Sequence, residues 1–360
     1  MPAMLPIFAA FLLAVSPAGQ IAYVSEATTA QRCVVVMDVA SRSVTRVGPG
    51  KRDGAPRWSP NGEWLAFDTE RASGSAIYLV RWDGSEGRYL RHAQPVNRDP
   101  SWSPDGLKLA FVSGAGPERQ IVVYEIATNR ESRWGGGRRG LMAPRWMARG
   151  LVVSLLGSED KNRSVVSPII LENLNQSVGL VAIGLTEEEG KITSNLVLVT
   201  ATESVAFPER VFPSPGNYAE WNATPARRDY AIAFESDDGG DREIFLYSRK
   251  GIWDLSNHRA ADWNPVWAPG NSWLAFESFR SGRRGVYRVH REAATVYPVA
   301  VSERASNWWP SWSPDGDWLA FVSDRTGVPN VYITDVAGEH AEALTKVSTG
   351  AVAPAWRPRR

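Results

Sequence analysis

Four histidines in 360 residues leave few ways to build a metal site from imidazole. His290 and His340 fall near strand ends or outer loops, which leaves His92 and His258. Each lies shortly before a tryptophan-containing strand, with Asp99 or Asp262 a few residues further on, so the four side chains would make a nitrogen and oxygen donor set for a divalent cation. No HExxH or other tight ligand spacing supports that set, and neither a metal nor any other cofactor is expected. The segments GKRDGAP, RHAQPVNRDP, NHRAADWNP and ASNWWP together carry Asp53, His92, Arg98, Asp99, His258, Arg259, Asp262, Trp263, Trp308 and Trp309. Charged groups interleaved with indoles suit contact with a protein or a carbohydrate, since Trp and Arg combine large contact areas with directional bonds. Binding rather than catalysis is the chemistry expected of them. Asp237, Asp238 and Asp241 in ESDDGGDRE lack the EF-hand pattern and read as a solvated loop. GGGRRG at 135–140 has no phosphate-binding helix after it and reads as a linker.

The elements that must position these segments are repeats. Trp58, Trp102 and Trp146 are 44 residues apart, and Trp221, Trp267, Trp312 and Trp356 follow one another at steps of 46, 45 and 44. A nested register runs inside the units: nine residues separate Trp58 from Phe67, Trp102 from Phe111, Trp267 from Phe276 and Trp312 from Phe321, and eleven more lead to Tyr78, Tyr287 and Tyr332. Each unit reads as a Trp strand, an SPDG or SPNG turn, an apolar strand such as WLAF, a third strand such as VYIT and a short fourth one. Asp105 and Asp315 are therefore expected to make turns, a role that Asn61 fills in another copy. One such sheet cannot bury both faces, and the period matches a four-stranded propeller blade.

The two ends complement each other. VAPAWRP at 352–358 is an opening strand with nothing after it, while QIAYVSE at 20–26 is a second strand with nothing before it. Pairing them would close the ring with one C-terminal and three N-terminal strands. From Trp146 to Trp221 the interval is 75 residues, between one period and two. PRWMARGLVVSLLG, RSVVSPIIL and SVGLVAI supply one degenerate blade, leaving a hairpin insertion at 185–216 and seven blades in all, with eight or six as alternatives. Loops between blades leave on the same face as the insertion, opposite the SPDG turns. That face, at the channel mouth, is where the binding residues are expected.

Forty basic against thirty-nine acidic residues give a net charge of +1, which argues against a nucleic-acid partner. Cys33 is the single cysteine and sits in the apolar run CVVVMDV, so it reads as a buried strand residue. Residues 1–19 contain an uncharged apolar stretch at 3–15 followed by Ser16, Pro17 and Ala18, the pattern of a signal peptide cut before Gly19, with an uncleaved signal anchor as the alternative. With the leader removed, no transmembrane segment is expected. The reading is an exported, periplasmic or extracellular monomer: one all-β closed propeller over 20–360.

The copies RDPSWSPDGLKLAFVSGAG (98–116), APRWSPNGEWLAFDTERASGSAIYLV (55–80) and PSWSPDGDWLAFVSDRTG (310–327) resemble the TolB-type propeller repeat, which is distantly similar to WD repeats. TolB carries an α/β domain ahead of a six-bladed propeller, whereas repeats here begin directly after the leader. The resemblance implies a noncatalytic protein-binding or scaffolding propeller of the cell envelope. It also implies an alternative, a polysaccharide-active lyase or hydrolase with its site at the channel mouth, since oligogalacturonate lyases share related repeats. Similar propellers accompany prolyl-oligopeptidase-like hydrolases, but no GxSxG elbow follows here.

Overall fold

The computed structural model describes residues 17–359 except 27–30, 91, 138, 148–149, 157–178, 189–190, 201–203, 207–219, 228–230, 239 and 249. These residues form seven antiparallel-rich sheets arranged as a closed propeller. Sheet two (Arg57–Trp58, Trp64–Arg71, Gly74–Arg81, Arg88–Tyr89) and sheet three (Asn97–Trp102, Lys108–Ser113, Gln120–Glu125, Arg130–Trp134) are regular blades. So are sheet five (Glu220–Pro225, Ile232–Ser236, Glu243–Ser248, Gly251–Asp254) and sheet six (Asp262–Trp267, Trp273–Ser278, Gly285–His290, Val296–Ala300). Sheet seven comprises Asn307–Trp312, Trp318–Ser323, Asn330–Asp335 and Glu342–Ala343. In sheet one, Ala351–Trp356 pairs antiparallel with Gln20–Glu26, and Arg32–Asp38 and Val44–Arg46 follow. The opening strands contact one another in an unbroken cycle from Arg57–Trp58 round to Ala351–Trp356 and back, so they are the innermost strands and surround the channel.

The expectation of seven four-stranded blades needs correction: six sheets have four strands. Sheet four has five (Leu141–Met147, Gly150–Leu156, Gly179–Glu188, Lys191–Thr200, Ser204–Ala206), with Gly179–Glu188 running parallel to Gly150–Leu156. SNLVLVT, expected inside an insertion at 185–216, is here part of a sheet strand that pairs with Gly179–Glu188. RSVVSPIIL and residues 207–216 lie outside the described residues.

The nested spacings are explained by two packing devices. Phe67, Phe111, Phe234, Phe276 and Phe321 are fully buried, and Phe67, Phe276 and Phe321 pack on Tyr78, Tyr287 and Tyr332 at 5.6, 6.0 and 5.9 Å between ring centroids. The register tryptophans do a second job. Five of the indole N–H groups donate to the carbonyl that precedes the corresponding position in the neighbouring sheet: Trp58 to Ala355, Trp102 to Arg57, Trp146 to Ser101, Trp267 to Thr224 and Trp312 to Val266, at 2.9 to 3.1 Å, whereas buried Trp356 Nε1 has no acceptor among the described residues. A buried indole N–H usually finds an acceptor, and in these five the bond fixes how one blade sits on the next.

Trp221 does not belong to this register. It pairs with Glu235 as Trp263 pairs with Glu277, which places Pro225 where Trp267 stands in the next sheet. Proline has no indole, so the link from sheet five to sheet four is absent. The SPDG turns behave as expected. Ser103 Oγ bonds Asp105, Lys108 N–H donates to Ser103 Oγ at 2.8 Å, Leu107 N–H donates to Asp105 at 2.9 Å, and Gly106 takes φ +73°.

Candidate functional site

Several of the expected binding residues are occupied in holding the blades. The position five before the register Trp carries Asp53, Asn97, Asp262 and Asn307, with Glu220 five before Pro225, and all five are buried. Asp53 accepts from Val34 N–H and Gly50 N–H, both at 3.1 Å, and from Thr69 Oγ1 at 2.6 Å. Asp262 is paired with Arg280 at 2.7 Å, and Asn307 accepts from Arg325 at 3.2 Å. Asp53, a buried carboxylate with donors on both oxygens, is a loop fastener. Neither Asp53 nor Asp262 reaches solvent, so neither lies at the surface of the channel mouth as expected.

The two histidines separate in the same way. The His92 side chain is only 4% exposed; its Nε2 accepts from Ile77 N–H at 3.1 Å, which leaves Nδ1 to donate to Glu131 at 2.9 Å, and its ring packs edge-on against Phe111. Both nitrogens are therefore engaged. His258 instead lines an open cleft of about 570 Å³ together with Asp238, Asp241, Glu243, Asp254, Asn257 and Arg259. Its Nδ1 accepts from Ala260 N–H at 3.0 Å and its backbone N–H donates to Glu243 at 3.1 Å. Among the described residues no group of three or more His, Cys, Asp or Glu is arranged to hold a metal ion. Burial pushes the Glu243 carboxyl up to about 8, and the pressure is increased by Asp262 and Asp254 nearby. Asp262 Oδ1 has no donor among the described residues, and Asp262 lies within hydrogen-bonding reach of Glu243. Burial raises the Asp262 carboxyl as well, and a proton shared by the pair supplies the donor that Asp262 Oδ1 lacks.

The channel wall is built by a bulge repeated in the opening strands. Three residues before the register position, Asp99, Ala143, Asn222, Asn264, Trp309 and Ala353 all adopt φ between +46° and +53°. In each of these strands the pairing with the second strand shifts at that point. This left-handed conformation is uncommon for residues other than glycine and turns the backbone N–H away from the ladder. The freed N–H groups of Asn264 and Trp309 donate to Glu235 and Glu277 of the preceding sheet, at 2.7 and 2.8 Å. Asp99 N–H donates to Asp68 at 3.4 Å in the same manner. Glu235 also accepts from Asn222 at 2.6 Å and Arg242 at 3.3 Å, and Glu277 from Asn264 at 2.8 Å and from Arg284. Burial raises both glutamates above the usual carboxylate range, against the pull of these donors.

Trp263 is half-buried and edge-on to Phe279 at 5.1 Å, and Trp308 is half-buried with Arg284 5.7 Å above its ring. Trp309 is different: 38% of it is exposed. Arg98 and Arg259 are exposed as well. Asp99 accepts from Arg145 at 3.0 and 3.1 Å and pairs with Arg57 at 3.6 Å. Of the Arg57 side chain, 42% is open to solvent. The sequence reading missed Arg57, Arg145, Asp68, Glu235 and Glu277. A signal was available for the glutamates, which follow Phe234 and Phe276 at the position where sheets three and seven have Val112 and Val322.

A model of the TolB beta propeller domain matches residues 11–201. The chain belongs to this family. Its TolB-type repeats are 31% identical over 120 residues to a protein TolB homolog of Chlorobium luteolum, a match covering 32% of this chain and 27% of that protein. They are 34% identical over 71 residues to the Tol-Pal system protein TolB of Methylococcus capsulatus, covering 20% and 16%. The chain thus spans about a quarter or less of the length of these curated relatives. Among solved structures, TolB from Acinetobacter baumannii shares the fold with a TM-score of 0.54 and 18% identity, over 95% of this chain and 67% of that one. Oligogalacturonate lyase from Vibrio parahaemolyticus does so with a TM-score of 0.57 and 14% identity, over 92% and 87%. Both likenesses are of fold. No helix among the described residues is long and apolar enough to cross a membrane.

Proposed function

We propose that this TolB-type propeller is a noncatalytic binding protein of the cell envelope that captures a protein partner at the channel mouth, on the face carrying the inter-blade loops. Membership of the TolB propeller family carries this reading, and relatives named as Tol-Pal system proteins support both the envelope setting and a protein partner. Export by the leader at 1–19 and a monomeric state belong to the same proposal. Once the bonded side chains are set aside, Arg98, Arg259 and Trp309 remain exposed, a combination suited to a protein surface.

The second reading, a polysaccharide-active enzyme, draws on the fold likeness to oligogalacturonate lyase. Its histidine pair is weakened by His92, whose ring nitrogens are both used internally. A photocrosslinking residue placed at Arg259, with one at Asp317 on the opposite face as control, tests the binding reading in native envelope extract. A single protein adduct from position 259 and none from 317 is expected. Equal yields from both faces, or turnover of acidic oligosaccharides by the purified protein, would refute it.

A further inference from the structure

The six bulge residues stand at one level of the channel, because they occupy the same position in their strands. Ala143 and Ala353 leave space there, Asn222 and Asn264 are tied to Glu235, and Trp309 offers an exposed indole. At Asp99 the charge does not balance. Arg57, Arg98 and Arg145 gather near two carboxylates, Asp68 and Asp99. Arg57 is held at 3.6 Å, longer than a good charge-assisted bond, and Arg98 forms no ion pair among the described residues. Three guanidinium groups thus face two carboxylates, with Arg57 and Arg145 both drawn to Asp99, so the arrangement gains from a further anion.

We propose that Arg57, Arg98 and Arg145, gathered round the carboxylate pair Asp68 and Asp99 on the channel wall, bind the carboxylates of an acidic peptide segment. Guanidinium groups match carboxylates in shape and donor geometry. Asp99 acts as a resident counterion that keeps the arginines ordered in the empty channel and competes with the incoming acid. A peptide, rather than an acidic sugar, follows from the protein-binding reading on which this inference rests; an apolar side chain of the same segment can lie on Trp309 at the same level.

The test uses N-acetyl hexaglutamate as probe, with hexalysine and tetragalacturonate as comparisons, titrated into the full chain at low ionic strength and followed by tryptophan fluorescence. Saturable binding of hexaglutamate, weakened by salt, is expected. The double variant Arg57→Gln, Arg98→Gln should bind roughly tenfold more weakly or worse, given the worth of charge-assisted contacts. Asp99→Asn should bind roughly threefold more tightly or better, since the resident competitor loses its charge. A purely structural role for Asp99 would give the opposite sign. Unchanged near-ultraviolet circular dichroism confirms that each variant is folded. No binding by the folded wild type, an unaffected double variant, a weakened Asp99→Asn, or tighter binding of tetragalacturonate than of the peptide would each overturn the proposal. Crosslinking from position 259 reports on the protein-binding reading independently, so either idea can fail alone.

Discussion

Replacing Glu243 by Gln should remove a large part of the protein's pH dependence of stability. In the folded chain the carboxyl lies against Asp262, takes a hydrogen bond from Ser256 Oγ and one from His258 N–H, and is pushed up to about 8 by burial. In the unfolded chain it titrates at its ordinary value near 4.5. Between those two values the folded state holds a proton that the unfolded state has released. The associated stabilisation is therefore complete below pH 4.5, declines as pH rises, and is gone once pH passes about 8. At about 1.4 kcal/mol per pH unit, the loss across that window is about 5 kcal/mol at most, reduced by the screening that the open cleft allows. Gln reproduces the neutral form without a proton to lose, and its amide N–H can donate to Asp262 as the acid does. Urea denaturation between pH 5 and 9 measures the effect. Wild type should lose stability toward pH 8, and Glu243→Gln should show a flatter profile and be the more stable of the two at pH 8.5. A variant with the wild-type slope, or one less stable than wild type at pH 8.5, would show that Glu243 is ionised in the folded protein and would refute the shared proton.

Two further outcomes follow from the packing. Trp102→Phe keeps most of the buried ring but loses the bond to the Arg57 carbonyl; a loss of about 1 kcal/mol in urea denaturation is expected, whereas Trp221→Phe, outside the seam register, should change that bond network not at all. Asp53→Ala orphans Val34 N–H and Gly50 N–H and should cost about 2–4 kcal/mol by thermal or urea unfolding, yet leave crosslinking from position 259 unchanged in the folded fraction.

The fold was legible because a ring repeats its packing in its spacing. Phe67, Phe111, Phe276 and Phe321 occupy the buried positions their nine-residue offset from Trp predicts. The same spacing misled at Trp221, where a tryptophan four residues early stood in for Pro225 and kept the apparent period near 46. For the candidate site, residue type alone was a poor guide. Asp53 and Asp262 are acids in loop-like sequence, but Asn97 and Asn307 occupy the equivalent positions, and that recurrence marks a packing role. The channel pairs join residues of neighbouring sheets, 46 apart in the chain for Asp99 with Arg145 and 32 for Trp309 with Glu277, so no local pattern announces them. Only the curvature of the ring brings them together.

Closure of the ring has a consequence for how the protein folds. Gln20 and Arg357 meet although 337 residues separate them, and Ala351–Trp356 supplies the innermost strand of a sheet whose other three strands are made first. Joining ends that far apart costs roughly 5 kcal/mol of loop entropy, which local hairpins elsewhere do not face. Sheets two, three, five, six and seven can each form from contiguous chain, so the N-terminal sheet should be among the last to be completed. Until then Gln20–Glu26 presents a bare hydrogen-bonding edge, open to a strand from another molecule as readily as to its own. The yield of folded protein should therefore depend on concentration during refolding, and a peptide spanning 350–359 added in excess should compete for that edge.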